Sequence, residues 1–232
     1  MTDALIEVKD LWVRYGSGEA ADEALRGVDL EIGRGEFVAI VGPSGSGKSS
    51  LLHVLGLMLR PTRAARLMLD GEDLLTASEA RRTSIRKAKI GFVFQRLNLV
   101  PVLSATDNVQ LALWLRGQPL DGAADELLER LGIGSIKRKR PAQMSVGQQQ
   151  RVAVARAIAG SPKLLLADEP TGSLDSCNAR MVLDLLRQVH AQQRELTAVI
   201  VTHNEEVAGA ADRIIHIHDG RIAHAGGHSN GG

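Results

Sequence analysis

Apolar positions in this chain first gather into short runs. LIEV (5–8), LWVRY (11–15) and VDLEI (28–32) have strand length and are separated by Gly- and charge-rich turns. GEFVAIV (35–41) reads as a buried strand that runs straight into GPSGSGKSS (42–50) and then into the helical SSLLHVLGLML (49–59). KIGFVF (89–94) and KLLLAD (163–168) are further apolar runs of strand length, and TAVIVT (197–202) is β-branched and apolar on both faces, the habit of a central parallel strand. Between Phe94 and Lys163 the period turns helical over Asn108–Leu115, Ala123–Leu131 and Gly147–Ala159. IIHIHDGRIAHAG (214–226) reads as a hairpin about Asp219-Gly220, and the last residues, GGHSNGG, as a loose tail. No repeat is visible. The pattern predicts an α/β core (residues 1–94 and 162–232) with a small N-terminal β layer, and a helical insertion over 95–161.

Composition narrows the classes. With 232 residues, 44% hydrophobic and 24% charged, the chain is a globular protein with a substantial core. Lys plus Arg total 28 against 27 Asp plus Glu, so no general field favours nucleic acid, and no nucleic-acid partner is expected. One cysteine, Cys177, excludes an internal disulfide and a cysteine-based zinc cluster, which suits a reducing cytoplasm. The start, MTDALIEVKD, has neither the basic residues nor the apolar stretch of a signal peptide, and no apolar run approaches the ~20 residues needed to cross a bilayer. A membrane role would be exercised from the surface.

GPSGSGKS (42–49) fits G-x-x-x-x-G-K-[ST], after a predicted strand and before a predicted helix, as that motif requires. The glycines Gly42, Gly45 and Gly47 let the backbone turn its N–H groups onto phosphate oxygens, and the helix N-terminus adds partial positive charge. Pro43, Ser44, Ser46 and Ser50 complete the loop, Lys48 supplies a point charge for the β- and γ-phosphates, and the Ser49 hydroxyl can ligate Mg²⁺. LLLADEP (164–170) delivers Asp168 and Glu169 to a strand's C-terminal end, where α/β sheets bind ligands. Asp168 suits a water-mediated hold on Mg²⁺, and Glu169 suits positioning of an attacking water. Together they predict a nucleotide triphosphatase.

These motifs, in this order and spacing, resemble those of the ATP-binding cassette ATPases over nearly the whole chain. The resemblance implies a P-loop NTPase (RecA-like) core with an N-terminal antiparallel β subdomain and a helical subdomain insertion. It implies an adenine-stacking role for Tyr15, a place for Gln95 at the Mg²⁺ site, and a switch role for His203 on the γ-phosphate. SLD (173–175) resembles the D-loop, with Asp175 facing a second subunit, and MSVGQQQR (144–151) resembles the signature LSGGQ-x-Q-R. In such proteins two cassettes pair head to tail, so that Ser145, Gly147 and Gln148 would cap the ATP held by the partner copy's P-loop. Ser145 is a good helix N-cap. Val146 stands where the family usually has glycine; a β-branched residue needs negative φ, which leaves close backbone approach to Gly147.

IRKAKIGFVFQRLNLVPVLSATDNV (85–109) further resembles the branch that powers lipoprotein release, macrolide-type efflux and the cell-division complex, although Ala64 and Ala65 replace that branch's usual Ser-Gly turn. The implied protein is a MgATP-hydrolysing homodimer on the cytoplasmic face of the cell membrane. Its permease would dock near residues 95–103, where LNLVPVL (97–103) offers apolar side chains. An import cassette, a soluble cassette ATPase and a regulatory subunit are the competing readings. Against them stand the absence of a C-terminal regulatory domain or a coiled-coil insertion, and the intact Lys48, Asp168, Glu169 and His203. KRKR (137–140) and Arg81, Arg82, Arg86 and Lys87 read as solvated faces. Cys177 reads as a bystander, and His216 and His218 as side-by-side packing on one strand face.

Overall fold

Residues Ala4–Tyr15 form one continuous strand, β1, in which the two predicted runs are joined across a bulge. Asp10 lies at the joint with φ 47°, its N–H donating to Asp29 and its carboxylate accepting from the Trp12 indole. Asp tolerates the left-handed region, so a bulge can sit here without glycine. The structure, a computed structural model, describes residues 3–16, 18, 22–172 and 174–227. Ser173, the tail from residue 228 and the side chain of Cys177 lie outside the described set. The chain divides into two compact units, residues 1–86 with 197–232, and residues 87–196.

In the first unit, β1 pairs with β2 (Asp22–Gly33) and β4 (Arg66–Leu69), and β4 with β5 (Glu72–Asp73), all antiparallel. Ile6, Val8, Leu11, Val13, Val28, Leu30, Ile32, Leu67 and Leu69 bury one side of this layer. A second layer runs β10-β9-β3-β8. In it β3 (Phe37–Val41) is parallel to β8 (Thr197–Thr202) and to β9 (Arg213–His218), while β10 (Arg221–Gly227) closes the expected hairpin on β9. Every residue of β8 is buried, as its two apolar faces foretold. The helices are α1 (Lys48–Leu55), α2 (Glu79–Lys89) and α7 (Glu205–Ala208).

The predicted solvated face of α2 needs correction. Arg82 is buried, its guanidinium donating to the carbonyls of Leu74 (3.2 Å) and Leu59 (3.3 Å), and Arg86 donates to that of Leu57 (2.8 Å). Both arginines satisfy carbonyls that the chain leaves open just beyond α1, while burial and the neighbouring Arg60 pull the Arg82 guanidinium below its ordinary value.

In the second unit, β6 (Ile90–Val93) and β7 (Leu164–Asp168) pair in parallel. Helices α3 (Ala105–Leu115), α4 (Ala123–Arg130) and α5 (Val146–Ile158) bury Val109, Leu113, Leu128, Val152 and Ala155. A fourth helix, α6 (Ser176–Gln192), goes beyond the predicted set. Its signal was present: Asp175 is the N-cap, and Val182, Leu185, Leu186 and Val189 form a buried helical stripe. Of the KRKR run, Lys137 pairs with Glu129 and Asp125 while Arg138, Lys139 and Arg140 are exposed.

Asn108 is fully buried in α3. Its amide oxygen accepts from Val100 N–H (2.8 Å), and its NH₂ donates to the carbonyls of Val100, Leu103 and Ser104. One side chain therefore sets the shape of the loop before α3. Asn108→Ala leaves a buried N–H and the facing carbonyls without their partner, and is expected to cost about 1–3 kcal/mol, read as a lower urea midpoint at unchanged slope.

Candidate functional site: a phosphate-binding loop and a signature helix

β3 ends at Val41 and the loop 42–47 follows. Gly47, the N-cap of α1, has φ 101°, and a Cβ there would lie 2.3 Å from the Ala24 carbonyl oxygen of β2. Gly42 is equally constrained, since a Cβ would lie 2.1 Å from the Ile217 carbonyl oxygen of β9. The loop is thus gripped from both sides by backbone. Three of its carbonyls are satisfied from its own lysine and the last hairpin: Gly220 N–H of the β9–β10 turn donates to Ser46 (3.0 Å), and Lys48 Nζ donates to Gly42 (2.8 Å) and Pro43 (2.7 Å). Ser44, Gly45 and Ser49 are exposed at the rim, while Ser46 and Lys48 are buried. Tyr15, at the end of β1, is 44% exposed, and its hydroxyl lies 3.2 Å from Ser50 Oγ in the first turn of α1. The aromatic ring expected at adenine is therefore tied to the phosphate loop's own helix. His203 follows β8 and is exposed, and the adjacent Asn204 caps α7.

In the second unit β7 carries Asp168 at its end, followed by Glu169 at φ 45°. A non-glycine residue held there is strained, and such strain collects where geometry serves function. Gly172 N–H donates to the Glu169 carbonyl, and a Cβ on Gly172 would lie 3.5 Å from Glu169 Cβ and 3.8 Å from Gln95 Nε2. Three strand-to-loop positions, Gln95, Glu169 and Gly172, thus converge. Ser145 caps α5 by accepting from Gln148 N–H, and Gln148 Oε1 accepts in return from Ser145 N–H. Val146 is helical and 51% exposed, and is not among the positive-φ residues, in keeping with the negative φ expected of it. Asp175 caps α6.

Two further residues had no sequence signal. Arg156 of α5 donates to the carbonyls of Leu97 (2.8 Å) and Asn98, holding the segment that leaves Gln95, and burial lowers its guanidinium from the ordinary value. Asn178 faces α5 from α6. Both are partnerships between residues distant in sequence, which periodicity does not reveal.

The groups expected at Mg²⁺ are all oxygen donors: the Ser49 hydroxyl in the first unit, and the Asp168 carboxylate and Gln95 amide in the second. Among the described residues, no three His, Cys, Asp or Glu side chains form a metal cage. Oxygen donors of this kind suit Mg²⁺, which takes one or two carboxylates and completes its shell with substrate phosphates and water. His216 and His218 stand exposed on one face of β9, His218 beside Asp219 (3.1 Å).

A strand, a glycine loop gripped by backbone and a helix behind it define a P-loop nucleotide triphosphatase. Residues 25–172 match the model of the ABC transporter family, to which the chain belongs, and it is an ATPase subunit of that family. It is 47% identical over 94% of its length to an uncharacterized ABC transporter ATP-binding protein of Thermotoga maritima, covering 93% of that protein. To the lipoprotein-releasing system ATP-binding protein LolD 2 of Caulobacter vibrioides it is 47% identical, over 96% of this chain and 98% of that one. It is also 44% identical over 96% of its length to the macrolide export ATP-binding/permease protein MacB of Hyphomonas neptunium, of which it spans 34%. The dimeric, post-hydrolysis structure of the ATP-binding cassette MJ0796 bound to ADP and Pi superposes with TM-score 0.88 at 37% identity, covering 97% of this chain and all of that one.

Because Gly47 combines a left-handed φ with a carbonyl at its missing Cβ, Gly47→Ala should distort the loop. ATP affinity in a fluorescent-nucleotide titration is expected to fall by at least about tenfold, the equivalent of ~1.4 kcal/mol, with the far-UV spectrum unchanged.

Proposed function

We propose that this chain works as a pair of cassettes clamped head to tail around two MgATP, driving a membrane permease of the exporter or mechanotransmission kind. The observation that carries this is one P-loop and one capped signature turn per chain, Gly42–Ser49 and Ser145–Gln148, the latter exposed at Ser145 and Val146, so that a complete site needs two copies. The dimeric cassette MJ0796 supports the pairing, and the relatives named for lipoprotein release and macrolide export support the branch. Within each chain, residues 95–161 act as the helical signature subdomain.

The roles follow from the chemistry of each group. P-loop amides and Lys48 bind the β- and γ-phosphates, with Ser50 tying Tyr15 beneath adenine. Ser49, Asp168 and Gln95 would hold Mg²⁺, which supplies charge neutralisation on the phosphate oxygens. Glu169 accepts a proton from the attacking water, and His203 contacts the γ-phosphate. Ser145, Gly147 and Gln148 face the other copy's nucleotide, with Asp175 facing that copy. Glu169→Gln should keep ATP binding and lower turnover by ~10²–10⁴-fold. The same variant with MgATP should double its mass in light scattering; a monomer at high concentration would remove the paired model.

No helix among the described residues is long and apolar enough to cross a membrane. In this reading the permease supplies the crossing and the chain works at its cytoplasmic face. The docking segment is 97–103. Leu97, Leu99 and Leu103 are half-buried, and Val102 stands 71% exposed on a loop held by Asn108 and Arg156. Val102→Asp is expected to abolish co-purification with the permease while ATP binding stays at the parent level. Full retention of the permease would move the docking surface elsewhere.

A further inference from the structure

Gly147 is buried, whereas its neighbours Ser145 and Val146 are exposed. It lies in the first turn of α5 and is not among the glycines with positive φ, so backbone conformation does not demand glycine there. Space does. A Cβ on Gly147 would lie 2.5 Å from Asn178 Oδ1 and 3.2 Å from its Cγ, both atoms of the same chain.

The Asn178 side chain cannot simply swing aside. Its Nδ2 donates to Asp175 Oδ2 (2.7 Å), while its backbone N–H donates to Asp175 Oδ1 (2.9 Å) as the cap of α6. An amide beside a carboxylate must present its nitrogen, so the Asp175 pairing obliges the oxygen to face α5. Charge-assisted bonds of this kind are roughly twice as strong as neutral ones. The Asp175–Asn178 box therefore acts as a stop against which the α5 turn rests.

We propose that Asn178 is a positioning residue for the signature turn: locked by Asp175, it sets the spacing between the N-termini of α5 and α6. Position 147 must then be glycine because of this contact inside one chain, before any nucleotide is met. Asp175 and Ser145 move as one piece, so that a displacement of the loop at Asp175 carries the signature turn with it. The consequence for catalysis rests on the reading of Ser145–Gln148 as the surface that meets the other copy's ATP.

An added methyl must move from 2.5 Å to at least the 3.4 Å of ordinary contact, a shift of roughly 1 Å, and misplacements of that size cost up to about 10²-fold in rate. The test compares Gly147→Ala, Asn178→Ala and the double variant by amide hydrogen exchange over residues 145–150 without ATP, and by steady-state ATPase rate. Gly147→Ala should exchange faster in the ATP-free protein and lose at least about tenfold in rate, within that range. The double variant should return to the level of Asn178→Ala, because removing the carboxamide makes room. Asn178→Ala alone should loosen the turn measurably, which keeps the test valid should Gly147→Ala fail to fold. Unchanged ATP-free exchange in both single variants, or no rescue in the double, would overturn the proposal. Exchange effects with rescue but an unaltered ATPase rate would uphold the positioning contact and instead remove the reading of the turn as a nucleotide-facing surface.

Discussion

A loop can aim its amides at phosphate only if its carbonyls are bound elsewhere, and that condition shapes the first unit. Gly42 and Pro43 turn their carbonyls to Lys48, and Ser46 turns its carbonyl to Gly220. The partner that matters most comes from far along the chain, since the β9–β10 turn supplies Gly220 N–H while the Gly220 carbonyl accepts from Arg26 of β2. β2 in turn presses the Ala24 carbonyl against Gly47. The N-terminal layer and the last hairpin are thus the two jaws that hold the loop's shape. A loop whose carbonyls are bound in this way keeps its amides free to face phosphate, and a fixed array of donors is where preorganised electrostatics gains its strength.

The buried strands were legible because each obeys one simple constraint. β8 was read to its observed ends, since a strand covered on both faces is apolar throughout. The hairpin about Asp219-Gly220 was legible from its turn chemistry, and both residues have positive φ. β1 reads as two strands because Lys9 and Asp10 interrupt the apolar run, and nothing local tells a bulge from a turn. β4 carries little signal because RLML gives only four residues of pattern, and its strand character comes from pairing with β1. The buried Arg82 is hidden for a related reason: its charge reads as solvent-facing, and only the Leu59 carbonyl beyond α1 and the Leu74 carbonyl beyond β5 account for its burial.

The candidate site divides along the same line. Residues defined by a linear motif, Gly42 to Ser49 and Asp168-Glu169, could be named because the chemistry requires them at set spacing. The residues that hold those motifs in place could not. Asn108, Arg156 and Asn178 each act on backbone or side chains outside their own turn of helix, so their spacing encodes nothing about the partner.

Those three residues share a physical job in the second unit, and α5 links them. At its N-terminal end the Ser145–Gln148 capping box and Gly147 rest against the Asp175–Asn178 box. Toward its other end Arg156 grips the Leu97 and Asn98 carbonyls, on the loop whose far side Asn108 shapes. A thirteen-residue helix is ~20 Å long and stiff along its axis. Its own buried residues Val152, Val154, Ala155 and Ala157 pack it into the second unit along this length. Val146 can stand exposed at its tip because the helix, anchored at both ends, does not depend on that side chain for its own packing.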